Sequence, residues 1–462
     1  MSLFLNILAL LKENSFGCRI YKLSSKSVYI SPLKGGILLA RKFLSFLGTT
    51  DYQACTYKYG PSEDLKWFTK YIQEALLRIF CSDWTKEDTA VIFVTDKAEK
   101  LNWYNEDDEN RRLKTIMEEL NINVKAVSIP EGKTEDEIWQ IFHIVTNEIE
   151  DDDEVIFDIT HSFRSIPMLA LVVLNYAKVV KNAKLLGIYY GAFEPNNDSA
   201  VIFDLTPLND ILEWSQAVHV FLDYGLSGPL KDISTRQLKH HLRSEQWARD
   251  TRQFVDSLNN LTMCLYTCRG KAITGKGTAR KSISSAVEIA KENFGRTKGI
   301  DEENQLKPLL PLMEKIEKRL EIFKGNDNLS IGIAAIQWYI ENNLIEQAYT
   351  ALDETIKTYA CIKFGLDDAD YNNREEIVQK ALKIRELSVP EEKWIVKDQY
   401  RHKVKELVEK LDDELVFLSS KIGSKRNDIN HFGFNDNASN YTDLESNIYE
   451  CFNRFLDYIY SN

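Results

Sequence analysis

Near the end of the chain stands the run Arg426-Asn427-Asp428-Ile429-Asn430-His431. An arginine offers a phosphate a fixed fork of donors, and a histidine, ordinarily titrating near neutrality, can move protons at the oxygens around it. The two suffice to cut RNA without a metal when a 2′-hydroxyl is aimed at its own phosphate. Helix geometry limits the pair. Residues five apart lie about 140° apart in projection, so Arg426 and His431 do not share a face of an ideal helix. Asn427 and His431, four apart, do. A helix end, or a second copy of the site, is therefore needed to bring guanidinium and imidazole onto one phosphate. The same spacing recurs from Arg236 to His241; that pair follows a Gly-Pro break and reads as the solvated start of a basic helix. Taken alone, the spacing does not separate an active site from an ordinary helix end.

A second group of chemistry-bearing residues is Asp158-Ile159-Thr160-His161-Ser162-Phe163-Arg164-Ser165-Ile166-Pro167. A buried-strand pattern ends here and a helical one begins, with proline tolerable in the first turn. The free amides of such a helix start form an anion site. Thr160, His161, Ser162 and Arg164 add hydroxyls, an imidazole and a guanidinium that suit phosphates and base edges. The plainer alternative has Thr160 or Ser162 capping the helix and Arg164 paired with an acid. Another strand pattern ends in Leu47-Gly48-Thr49-Thr50, where glycine admits a close backbone approach and the threonines offer hydroxyls; an ordinary turn fits it too. A third turn, Thr95 to Tyr104, carries Asn102 for base recognition and Trp103, which packing alone explains.

Stepping outward to the elements, the first half alternates short β-branched or aromatic runs (Lys42–Leu47, Ala90–Thr95, Val124–Ile129, Glu154–Ile159, Lys184–Tyr190, Val201–Leu205) with helical patterns (Ser62–Phe80, Asn110–Leu120, Glu135–Glu148, Ile166–Val180). That rhythm predicts an α/β Rossmann-like domain, a parallel sheet covered on both faces. Such sheets bind ligands beyond the carboxyl ends of their strands, where the turns after Leu47 and Asp158 fall. After Leu205 the strands stop. Helical patterns follow over Pro207–Tyr224, Gln246–Leu265, Ser282–Phe294, Gln305–Phe323, Asn328–Phe364, Asn373–Ile384, Asp398–Ile422 and Tyr441–Tyr460. The expected organisation is an N-terminal extension of undetermined role over residues 1–40, an α/β domain over 41–224, and an all-α domain over 225–462.

At this point a resemblance becomes specific. FLGTTDYQACTY (Phe46–Tyr57), DITHSFRSIP and LLGIYYGAFE (Leu185–Glu194) resemble CARF (CRISPR-associated Rossmann fold) domains of type III CRISPR accessory proteins, and DLTPLNDILEWSQA (Asp204–Ala217) resembles the helix that leaves them. The similarity covers roughly residues 41–224. It implies a homodimer, or a higher homo-oligomer, that binds cyclic oligoadenylate across its two-fold axis as an activator. Tetra-adenylate is the commoner ring and hexa-adenylate the other, and the ligand would contact Gly48, Thr49, Thr50, Thr160, His161, Ser162 and Arg164. Joined to such a domain, Arg-Asn-x3-His late in a helical region resembles the HEPN ribonucleases. That resemblance implies a composite active site of two Arg426/His431 pairs, attack by the 2′-hydroxyl, and products with a 2′,3′-cyclic phosphate. His431 would position or protonate the reacting oxygens, Arg426 would bind the scissile phosphate, and Asn427 would orient the histidine or the RNA. Single-stranded RNA is the expected substrate and DNA, lacking the 2′-hydroxyl, is not.

Composition bounds these readings. A chain of 462 residues is long enough for two cores. Its formal net charge of −12 excludes a protein that coats nucleic acid by bulk charge neutralisation, so RNA contact must be local. The basic loop Arg269–Lys281 is one candidate guide for RNA, although most such loops are simply solvated. Seven cysteines without a CxxC pair fit neither a disulfide framework nor a metal site, and point to a reducing cytoplasm. The apolar run Ser2–Leu11 is about half a membrane span, and no membrane association is expected. No required cofactor is expected either. Two other readings stay open: a ligand-responsive regulator whose helical domain only binds partners, and a first domain that cleaves its own ring through His161 or a threonine.

Overall fold

The computed structural model describes residues 18–23, 27–32, 40–60, 65–104, 112–161, 166–194, 197–270, 282–298, 307–434 and 436–461. Within the N-terminal extension, β1 (Cys18–Leu23) and β2 (Ser27–Pro32) pair antiparallel, with Ile20 opposite Ile30.

The apolar runs become β3 (Arg41–Leu47), β6 (Thr89–Val94) and β8 (Glu154–Asp158), parallel neighbours. Their side chains alternate between two cores. Phe43 and Leu47 of β3 join the cluster under α1 (Ile72–Phe80) and α2 (Leu113–Glu118), while Leu44 and Phe46 join the one under α3 (Glu135–Asn147) and α4 (Ile166–Val180). Burial on both faces is why these strands read as unbroken apolar runs. The sheet is completed by β4 (Cys55–Lys58), β5 (Lys66–Thr69), β7 (Asn123–Ser128), β9 (Lys184–Ala192) and β10 (Ser199–Asp204), in the order β5-β4-β10-β9-β8-β3-β6-β7. It is mostly parallel; β10 runs antiparallel to β9, and β5 to β4. The short strand β5 lies where the first part of a helix over Ser62–Phe80 is expected, because the amphipathic signal of α1 extends backward through Trp67 and Phe68.

The chain divides into two compact units, Met1–Pro207 and Leu208–Asn462. The boundary thus precedes residue 224. Nearly all of α5 (Thr206–Tyr224) belongs to the second unit, because Trp214, Ala217, Val218 and Phe221 lie in its helical core. That unit continues through α6 (Gly228–Gln237), α7 (Gln246–Tyr266), α8 (Ile283–Thr297), α9 (Leu310–Leu320), α10 (Asn328–Glu341), α11 (Ile345–Lys363), α12 (Gln379–Glu386), α13 (Asp398–Lys410), α14 (Asp413–Asn430) and α15 (Tyr441–Ser461). Two patterns read as single helices are broken. Asn343 turns left-handed (φ 56°) between α10 and α11, and Asp412 caps α14 by accepting from Leu415 N at 3.0 Å. Among the described residues no helix is long and apolar enough to cross a membrane.

Candidate functional site

At the carboxyl ends of β3 and β8, Ser45 and Asp158 stand in register and fully buried. Ser45 Oγ donates to Asp158 Oδ2 at 2.7 Å. Asp158 Oδ1 accepts from Thr160 N at 2.9 Å and from Thr160 Oγ1 at 2.6 Å. Thr160 Oγ1 in turn accepts from Gly191 N of β9 at 2.8 Å. Burial raises the Asp158 carboxyl above the usual carboxylate range, outweighing the three hydrogen bonds that favour the charge. Thr160 is thereby committed to shaping the turn: its hydroxyl donates once and accepts once, leaving a single lone pair.

Beside it, the Gly48–Thr50 turn is clamped from two directions. Gly48 N donates to Tyr52 Oη at 2.8 Å, and Asn102 Nδ2 donates to Gly48 O at 2.9 Å and to Thr50 O at 3.0 Å. Asn102 sits on a π-type turn over Glu99–Tyr104, a form common near functional sites. A Cβ at position 48 would lie 2.6 Å from Tyr52 Oη, so glycine is what lets the tyrosine reach the amide. The Tyr52 ring packs 4.4 Å from the His161 ring, centroid to centroid, at 54°. Burial pulls the His161 imidazole down to about 4, and its Nε2 is buried with no hydrogen-bond partner among the described residues. A neutral imidazole with one open nitrogen, a half-buried Thr49 and an exposed Thr50 are the groups this turn leaves for a ligand. Ser162 and Arg164 lie outside the described residues. Trp103 is buried packing, as its plainer reading had it.

In the second unit, Arg426 and Asn427 occupy the last turn of α14 and His431 is its C-cap, with His431 N donating to Asn427 O at 2.9 Å. The helix end required by the five-residue spacing is therefore present. Arg426 Nη1 pairs with the buried Asp353 Oδ2 of α11 at 2.5 Å, while its Nε is buried without a partner among the described residues. Asp353 also faces Lys357 at 3.5 Å, and Lys357 pairs with Glu354 at 2.9 Å and Glu375 at 3.2 Å. Burial raises the Asp353 carboxyl, against the pull of Lys357 and Arg426. Asn427 and His431 are exposed. The guanidinium is thus held on the α11 side of the helix and the imidazole is exposed at its end. The other Arg-x4-His pair is structural: Arg236 pairs with Glu213, and His241 packs 5.3 Å from Trp247. Among the described residues no three His, Cys, Asp or Glu side chains converge as metal ligands.

Residues 42–195 match the family described as CRISPR system endoribonuclease Csx1, CARF domain. Over that span, about a third of the chain, it is similar to the CARF domains of that family. It is similar to the CRISPR-associated protein MJ1674 of Methanocaldococcus jannaschii, 28% identical over 256 residues, which are 54% of this chain and 36% of that protein. The chain thus spans about a third of that relative's length. Among solved structures it is similar to Enterococcus italicus Csm6 bound to cyclic hexa-2′-fluoro-hexa-dAMP, with 11% identity, a TM-score of 0.43, and coverage of 90% of this chain and 92% of that one.

Within the matched residues 42–195, Gly48, Thr160 and His161, singled out by the sequence, lie close together. Sequence reasoning missed Ser45, Tyr52 and Gln73. Gln73, from α1, donates to Phe46 O at 3.1 Å and keeps a buried Oε1 without a partner among the described residues. A polar residue inside the run of β3 was the available signal for Ser45; Tyr52 and Gln73 carried none.

Proposed function

We propose that this chain is an endoribonuclease, activated by cyclic oligoadenylate, that cuts single-stranded RNA without a metal in type III CRISPR antiviral defence. The observation that carries the reading is the end of α14, where Arg426, held by Asp353, and Asn427 precede an exposed His431 at the helix cap, on a chain whose residues 42–195 match a CARF domain. The matching family description, which names an endoribonuclease, supports it. Arg426, oriented by Asp353, binds the scissile phosphate. His431 moves the protons as the 2′-hydroxyl attacks, and Asn427 orients it. The P–O5′ bond breaks, leaving a 2′,3′-cyclic phosphate and a 5′-hydroxyl. All of this is chemistry that a cation and an imidazole can supply. In the first unit the activator would meet Thr49, Thr50 and His161, with Gly48 and Thr160 shaping the turns, and Ser162 and Arg164 completing the set. A homodimer is supported by α4, whose Met168, Val172 and Val179 are 75%, 54% and 86% exposed along one face. The second unit is read as HEPN-like.

The test is cleavage of a labelled single-stranded RNA in EDTA, with and without cyclic tetra- and hexa-adenylate, beside His431→Ala. Cleavage that requires a ring and disappears in the variant is expected. Ring binding with no cleavage at all would reduce the protein to a regulator. A second reading, cleavage of the ring by the first unit, is favoured by His161, whose buried Nε2 has no hydrogen-bond partner among the described residues. It coexists with the first and is tested by looking for linear adenylate products that His161→Ala abolishes.

A further inference from the structure

The residues just after His431 form a turn with an unusual occupant. Phe432 N donates to Ile429 O at 2.9 Å and Gly433 N donates to Asp428 O at 3.1 Å. Counted from the His431 cap, these are the paired bonds of a Schellman motif. Its first residue past the cap adopts the left-handed conformation and is ordinarily glycine; here it is Phe432, at φ 58°, with Gly433 following at φ 69°. A bulky side chain in that region is strained, and strain of this kind collects at functional sites. Nothing in the packing recovers it, because Phe432 is 87% exposed and Phe434 is 86% exposed. The two rings lie nearly parallel, 22° between planes, with centroids 6.3 Å apart. The turn that presents them is tied down: Phe434 N donates to His431 O at 3.1 Å, Ser439 N donates to Asp428 Oδ2 at 2.7 Å, and Lys425 Nζ donates to Ser439 Oγ at 2.6 Å.

We infer that Phe432 and Phe434 are a stacking platform for the nucleobases of single-stranded RNA next to the cut, a proposal that rests on the ribonuclease reading of Arg426 and His431. Two arguments select RNA as the occupant. The platform is covalently continuous with the proton-moving histidine, so whatever lies on the rings lies within a residue or two of the reacting phosphate. And a chain with a formal net charge of −12 cannot hold RNA by bulk electrostatics, whereas aromatic stacking needs no charge and accepts any base, since every base has a π-face. Stacking also does mechanical work. Splaying two bases onto fixed rings unstacks the strand between them, which frees the sugar to reach the in-line geometry that attack by the 2′-hydroxyl requires. The rings are positioning residues; neither touches the reacting atoms.

The experiment compares wild type with the double variant Phe432→Gly, Phe434→Ala, each activated by whichever of cyclic tetra- or hexa-adenylate activates wild type. Glycine is the residue the motif prefers at position 432, so the variant should keep or raise its Tm and keep its oligomeric mass. KM for single-stranded RNA should rise about tenfold for each ring lost, and kcat should fall with it as the strand is no longer splayed toward in-line geometry. On an RNA made abasic on either side of the cut, the two proteins should share the same raised KM. Wild-type cleavage with no change of KM in the variant overturns the platform and leaves the ribonuclease reading standing. If wild type does not cut RNA, that reading fails instead. The platform is then judged alone, by fluorescence anisotropy of the labelled RNA on the two proteins, equal affinity overturning it. A loss of oligomeric mass in the variant assigns the rings to contact between copies of the chain and overturns the proposal as well.

Discussion

His161 resists protonation because its imidazole is buried against Tyr52, and burial penalises the charged form. The unfolded chain takes up that proton near pH 6.5, whereas the folded one waits until about pH 4. The contribution to stability is therefore complete above pH 6.5 and lost as pH falls from there toward 4, by at most about 3 kcal/mol. We expect NMR titration to find a neutral imidazole down to about pH 4, and His161→Gln to flatten the acid limb of first-unit denaturation. Asp353 gives a second expectation. Asp353→Asn leaves Arg426 and Lys357 short of a buried partner, which costs about 2–3 kcal/mol, discounted for the partial exposure of the arginine. Calorimetry should show that loss, and RNA cleavage should fall by about tenfold or more in kcat, since the guanidinium loses the anchor that aims it. Residue types and local spacing made Arg426, His431, Gly48 and the turn after Asp158 legible in the sequence. Asp353 was not legible, because it meets Arg426 across 73 residues and no short-range spacing encodes such a contact. Tyr52 was hidden for a different reason: its role is a hydroxyl reaching back to an amide four residues away.

At the scale of elements, α4 carries a prediction of its own. Its inner face, Ala170, Val173, Leu174 and Ala177, is buried, while Met168, Val172 and Val179 line the outside. An apolar face left in water at that density marks an association surface. Val172→Asp with Val179→Asp should dissociate the proposed homodimer in analytical ultracentrifugation while leaving the fold of the chain intact by circular dichroism, because neither residue supports the monomer's core. An unchanged mass would move the interface elsewhere. The long apolar strands were readable because two-sided burial writes an unbroken apolar run into the sequence, and α3 was readable from the helical pattern over Glu135–Glu148, where the structure has Thr134 capping it by accepting from Glu137 N at 3.2 Å. Short strands such as β4 and β5 were not, since four residues do not establish a period and the neighbouring helix imposes its own. Boundaries inside long helical patterns failed likewise where one capping side chain, as at Asp412, outweighs a continuing apolar stripe.

For the whole molecule, under the proposed ribonuclease reading, net charge decides how RNA would arrive. With a formal charge of −12 the chain repels polyanions at long range, and its affinity must come from a few close contacts. If two Arg426 side chains meet the substrate, each neutralised phosphate contributes about −0.7 to the salt slope, so log affinity against log salt should run near −1.4. Cleavage assays over roughly 50 to 200 mM salt give this slope, and one steeper than about −3 would demand basic groups not yet assigned. The sheet has a consequence of another kind, in the order of synthesis. Ser45 of β3 bonds Asp158 of β8 across 113 residues, so the centre of the sheet has no partner on one side until the chain has grown past β8. At roughly 5–20 residues per second, β3 waits on the order of 6–20 seconds on the ribosome. During that interval the run Arg41–Leu47, apolar but for Arg41, Lys42 and Ser45, presents an open edge. The edge of β3 is therefore the part of the first unit that stays open to wrong pairing for longest while the chain is being made.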